Sequence, residues 1–326
     1  GATQLPHPHE PTRIYHFVTD GLIRAGYTEN TIEISGFARK SCHALSGSYV
    51  RSFNSSIPAS TKRGVTMKAL YQKSEITFAI IMIAIYVGGT LVAQQLTDQI
   101  GITALIPAIF HIALVAVLAY WIISNGLAKK YGLIKPPYPA DRAWFFLPIL
   151  IVATSGLITG FDFRYTAVET ILFIVSMTCI GFLEEVIFRG FLFLAMAKSN
   201  LMAAIIVSSL TFGLGHIVNL LNGAPLMNTL MQIVFAIVVG FTLVLLFYNG
   251  KSLVPCIVFH SLNNSLAIIE KTSADAASSL SMSETAFNAA LLSFCVVLLV
   301  VYCTFCLKNL RVREDQQLHE RQDLAH

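Results

Sequence analysis

Between Gly181 and Gly190 the chain reads G-F-L-E-E-V-I-F-R-G, placing Glu184, Glu185 and Arg189 inside a stretch otherwise apolar enough to cross a bilayer. Each ionisable side chain at membrane depth costs a few kcal/mol on insertion scales, so such a cluster marks a functional site by default. Two further polar groupings interrupt apolar runs downstream: Phe212-Gly-Leu-Gly-His216 and His260-Ser-Leu-Asn-Asn264. Two carboxylates, a guanidinium, two imidazoles and an amide are the parts of a hydrolytic site. Their setting points to hydrolysis inside a membrane.

Helical spacing says how these groups can cooperate. Glu185 and Arg189 are four residues apart, in the favourable acid-first order for a pair on one helix face. An arginine there holds a carboxylate ionised and fixes its orientation. Glu184 falls about 100° round the helix from its neighbour. One acid can thus be locked by Arg189 while the other faces a cavity as general base, tuned by burial. Phe212 and His216 share a face, as do His260 and Asn264. Gly213 and Gly215 allow close backbone approach, and Pro255 is expected to kink its helix. Imidazole nitrogens and carboxylate oxygens suit a divalent ion such as zinc. They suit an oriented water without metal equally well, and both options stay open. His111, in an apolar span with no matching acid, reads as a helix–helix hydrogen-bond partner.

The elements that must position these residues are membrane helices. The chain has 326 residues, 55% hydrophobic and only 12% charged, with a mean hydropathy of +0.67. Soluble domains carry about 25% charged residues. A spanning helix needs about 20 apolar residues, and eight candidates follow: 75–94, 102–124, 143–160, 167–189, 201–221, 227–248, 252–269 and 286–307. With the N-terminus inside, the inner segments hold Lys68, Lys73, Lys129, Lys130, Lys135, Arg142, Lys198, Lys251, Lys308, Arg311 and Arg313, against Arg164 and Lys271 outside. That asymmetry places both termini in the cytoplasm. The net charge of +4 is loop charge of this kind, not a nucleic-acid footprint. Counting along the helices from Lys198 and Lys251, Glu184 and His260 lie near mid-membrane. His216 lies deeper, so the helices must tilt, or the connection between the fourth and fifth spans must enter the bilayer, for the groups to meet.

Residues 1–66 are polar and aperiodic and read as a poorly ordered extension without assigned function, with Met67-Lys68 suited to be a start. Residues 67–310 form the multi-helix domain, its motif core at 140–270, and 311–326 a charged cytoplasmic tail. Cys42, Cys179, Cys256, Cys295, Cys303 and Cys306 imply no disulfide framework; those in the spans read as small apolar packing residues.

Taken in order, E-E-x-x-x-R, F-x-x-x-H and H-x-x-x-N on three helices are more specific than any one of them. Glu184-Glu185-Val-Ile-Phe-Arg189, Phe212-Gly-Leu-Gly-His216 and His260-Ser-Leu-Asn-Asn264 resemble the CPBP family of intramembrane metalloproteases. That family includes the type II CAAX prenyl endopeptidases and the bacterial ABI proteins. The resemblance covers residues 140–270 and does not reach 1–66. It implies an all-α polytopic fold of about eight transmembrane helices enclosing an intramembrane catalytic cavity. It further implies an endopeptidase acting on lipidated, CAAX-type or small membrane-associated peptides. Carried over, Glu184 activates water with His216 beside it, while His260 and Asn264 bind the water or a metal and stabilise the oxyanion. Glu185, Arg189 and Phe212 support them. Where an ion is used, Glu184, His216, His260 and Asn264 are its ligands. The expected partners are a membrane peptide or lipidated protein and the bilayer itself, with no nucleic acid. A non-catalytic immunity or binding protein, or a transporter, that keeps the fold is the competing reading.

Overall fold

The computed structural model describes residues 66–97, 101–136 and 145–323, with side chains to Phe305. The 1–66 extension apart from Thr66, the Arg142 loop, Cys42 and the side chains of Cys306, Lys308, Arg311 and Arg313 lie outside the described residues. All regular structure here is helical, apart from one isolated antiparallel bridge between Phe161 and Glu270.

The helices are α1 (Met67–Lys73), α2 (Glu75–Thr97), α3 (Leu105–Ser124), α4 (Leu147–Ala153), α5 (Ala167–Ala197), α6 (Leu201–Gly215), α7 (Leu226–Gly250), α8 (Val254–Leu266), α9 (Ser273–Ser279) and α10 (Glu284–Asp323). Their starts are written locally. Thr166 and Glu169 form a capping box on α5, and Asn200 Oδ1 accepts from Ala203 N at 2.9 Å to open α6. Such caps satisfy amides that a helix leaves without partners at its first turn. Pro255 sits in the first turn of α8, where its missing N–H costs nothing. It therefore starts that helix and does not kink it.

Six helices are long and apolar enough to span: α2, α3, α5, α6 with its 3₁₀ continuation to Asn222, α7, and α10 over Glu284–Phe305. The other two expected spans are shorter. Over 143–160 the chain forms the 7-residue α4 and then a 3₁₀ turn, Ser155–Thr159. Over 252–269 it forms the 13-residue α8, about 20 Å at 1.5 Å per residue, against a core of about 30 Å. Apolar composition ran through both segments, but the backbone turns early in each.

Along the long helices apolar side chains face outward, among them Tyr120, Ile123, Val297 and Val301. Inside, α5 packs against α3 and α8, and α7 against α6 and α10. Two glycines set the closest approaches. A Cβ on Gly181 would stand 2.6 Å from Ser261 N and 2.8 Å from Ser261 Cα, so α5 and α8 touch through backbone there. On Gly213 it would stand 2.9 Å from Ile237 N. Gly215, expected to act likewise, faces open space.

The charge pattern becomes two distinct ends. At one, Glu75 pairs with Lys130 at 2.8 Å and Lys198 at 2.7 Å, while Leu253 N donates to Gly132 O at 2.7 Å beside the Lys251 turn. Burial alone would lower the Lys130 ammonium, but its bonds to Glu75 and Tyr71 outweigh that and raise its pKa. At the other end, Asp162 N donates to Ile269 O at 2.9 Å and Lys271 N to Gly160 O at 3.2 Å. The expected inner lysines Lys130, Lys198 and Lys251 thus gather at one end, and Arg164 and Lys271 at the other.

Candidate active site

The site is built around the middle of α5. From Glu185 to Phe193 the helix widens to a π-helix, and all nine residues are buried. Such segments are rare and occur often at functional sites. Ser208 Oγ on α6 donates to Phe188 O at 2.9 Å, satisfying one carbonyl of the widened turn.

Glu185 and Arg189 are both 0% exposed, and Arg189 Nη1 donates to Glu185 Oε1 at 3.0 Å. The guanidinium also stacks 4.1 Å from the centre of the Phe212 ring, a favourable cation–π placement. The same ring lies edge-on to His260 at 5.5 Å and to His216 at 5.8 Å. Phe212 is therefore the apolar wall against which the arginine and both imidazoles are set.

His260, delivered by α8, links the two acids. Its Nδ1 faces Glu185 Oε1 at 2.8 Å, and its Nε2 faces Glu184 Oε2 at 3.2 Å. Nδ1–H donating to Glu185 fixes the ring orientation and turns Nε2 towards Glu184. A continuous series results: Arg189, Glu185, His260, Glu184. The two neighbouring glutamates point to different surroundings, as their spacing allows. Glu185 is sealed inside, while Glu184 keeps 12% of its side chain exposed and reaches a cavity.

That cavity has a volume of about 350 Å³ and is lined by Glu184, His216 and Asn264 together with apolar Val87, Leu91 and Met177. His216 ends α6 where it tightens into the 3₁₀ turn His216–Asn222. Among the described residues no hydrogen bond joins it to Glu184, with which it shares the lining of the cavity. Asn264 Oδ1 accepts from Asn263 Nδ2 at 3.3 Å. The cavity reaches Asn219 and Asn222, whose amides donate to Gln232 and Gln94, each at 2.8 Å.

Tyr86 on α2 is a member of the site that no motif announced. Its O–H donates to Glu184 Oε1 at 2.6 Å across 98 residues of chain. One signal was present: Tyr86 and Thr90 lie four apart on one face of an apolar helix. Thr90 Oγ1 meets His111 Nε2 at 3.0 Å, and His111 Nδ1 meets Ser176 Oγ at 2.8 Å. His111 is thus the helix–helix partner it was expected to be.

For a divalent ion, Glu184 Oε2 and His260 Nε2 stand as adjacent donors with Glu185 behind the imidazole. A catalytic zinc takes three protein ligands. Among the described residues no three His, Cys, Asp or Glu side chains come together as such a set. The residues placed here do not complete a metal centre.

A bundle of membrane-length helices with a carboxylate, two imidazoles and an amide at a buried cavity defines a polytopic membrane protein with a hydrolase-like interior site. Residues 166–266 match the family model of the Rce1-like type II CAAX prenyl endopeptidases, within the CPBP family that the three motifs resemble. The match runs from the N-cap of α5 to the last residue of α8 and contains all three motifs. At family level, that segment is similar to a CAAX-type protease domain, and its helices α5, α6 with its 3₁₀ continuation, and α7 are long and apolar enough to cross a membrane. A comparison with curated proteins finds no match.

Proposed function

We propose that this protein is an intramembrane endopeptidase that hydrolyses a peptide bond in a prenylated C-a-a-X terminus by way of a water activated by Glu184. The observation that carries this reading is the unbroken series from Arg189 through Glu185 and His260 to Glu184, ending at a cavity. Here the last carboxylate reaches open space that His216 and Asn264 also line.

The steps use only these side chains. A water in the cavity gives a proton to Glu184 while its oxygen attacks the carbonyl carbon, and the carbonyl π pair moves to oxygen. Asn264 and His216 line the same cavity and supply N–H donors for the developing oxyanion. Glu184 then passes its proton to the amide nitrogen. The C–N bond breaks, and an acid and an amine leave. His260 stands beside Oε2 at 3.2 Å, and Glu185 and Arg189 fix the position of His260. The apolar wall of Val87, Leu91 and Met177 and the amides at the far end suit a substrate that is lipid-like on one side and peptide on the other.

The test uses purified protein in lipid nanodiscs with a farnesylated C-a-a-X peptide and its unfarnesylated twin, read by mass spectrometry. Cleavage within the farnesylated terminus is expected, and little or none in the twin. Equal cleavage of both would favour small membrane peptides as the substrate class. Both peptides remaining intact would defeat the proposal.

A further inference from the structure

Tyr86 lies outside the matched segment, yet it touches the acid at the centre of the site. The residue is 6% exposed and lines the same cavity as Glu184, His216 and Asn264. At 2.6 Å its bond to Glu184 Oε1 is a short O–H···O contact, in the range of charge-assisted bonds to a carboxylate. His260 Nε2 stands 3.2 Å from the other oxygen, so each Glu184 oxygen has a polar neighbour, and the phenol is the one that donates to the carboxylate. Each also keeps a second lone pair, which leaves one for water.

The turn that carries Tyr86 is itself anchored. Thr90 Oγ1 donates to Tyr86 O at 2.7 Å and meets His111, which meets Ser176 on α5. The phenol is therefore held relative to α5, the helix that carries Glu184. A ring needed only for packing would not require an O–H aimed at the reacting carboxylate.

We infer that Tyr86 is a further catalytic residue, one that holds Glu184 before reaction and donates to the oxyanion during it. The inference rests on the hydrolytic reading above. While Glu184 is ionised, the phenol O–H belongs to Oε1. When Glu184 takes the water proton, it loses its negative charge, and the new charge resides on the former carbonyl oxygen in the same cavity. The phenol then turns its O–H to that oxygen and stays protonated. When Glu184 passes its proton to the leaving amine, the oxyanion collapses to the product acid and the phenol returns to Oε1. No proton or electron is left over.

Tyr86→Phe removes only the oxygen and keeps the ring, so it separates this role from packing. With the farnesylated C-a-a-X peptide, kcat should fall about 10²-fold, the usual effect of losing one oxyanion donor, while KM stays within about twofold. Affinity for a farnesylated phosphinic peptide, which carries a tetrahedral anion at the reacting carbon, should fall with kcat. Affinity for the same peptide N-methylated at the scissile amide should not. Wild-type cleavage with Tyr86→Phe within about threefold of it, or a lost kcat with phosphinic affinity unchanged, would overturn the inference. A wild-type protein that leaves the peptide intact would instead defeat the hydrolytic reading and this inference with it.

Discussion

Glu185 and Arg189 are wholly removed from solvent, so each ion depends on the other for its charge to be tolerated. Removing one partner of such a pair typically costs about 3–5 kcal/mol. Arg189→Ala would also uncover the face of Phe212 that the guanidinium occupies at 4.1 Å. A lower melting temperature in detergent is therefore expected, together with loss of activity as His260 loses its fixed carboxylate. An unchanged melting temperature would mean that the pair carries no structural load. The i, i+4 spacing made this bond legible in the sequence. The link from Glu185 to His260 was not, because it joins residues 75 apart. Tyr86 was missed for a related reason: its spacing to Thr90 marks a polar face but does not name Glu184, 98 residues away, as the partner of the phenol.

Among the helices, α5 and α8 decide whether the site is assembled. They meet where Gly181 leaves room for the backbone of Ser261, next to His260. Gly181→Ala would drive a methyl group to within 2.6 Å of Ser261 N, and backbone cannot rotate away. The helices must separate, moving His260 from Glu184 and Glu185. A misplacement of about 1 Å can cost 10²-fold in rate. The variant is thus expected to lose activity by about that factor while still inserting in the membrane, measured as kcat against the fraction of monodisperse protein. Full activity would show that the contact yields without moving the site. Hydropathy located the long helices correctly, but it could not tell that α8 stops at 13 residues or that α5 widens after Glu184. Apolar composition fixes a medium and not a length, and a π segment has the same residues as an α one.

The helices among the described residues have two distinct ends, and the charge pattern of the loops anticipated which of the described basic residues gather at each. What it adds is a direction: the end with Lys130, Lys198 and Lys251 is expected in the cytoplasm by the positive-inside rule. Lys135 and Asp275 are both exposed, near opposite ends. A cysteine at 135 in a Cys-free background should react with an impermeant label from the cytoplasmic side, and one at 275 from the other. The reverse pattern would invert the orientation, and labelling of both from one side would break the two-ended arrangement. His216 and Glu184 line one cavity with no hydrogen bond between them among the described residues. The account as a whole rests on Glu184 activating water, and Glu184→Gln tests this most directly because it keeps the side-chain shape and removes the base. Single-turnover cleavage of the farnesylated C-a-a-X peptide should fall by about 10² to 10⁴-fold, with the melting temperature close to wild type. A Glu184→Gln protein that cleaves at near the wild-type rate would contradict the account.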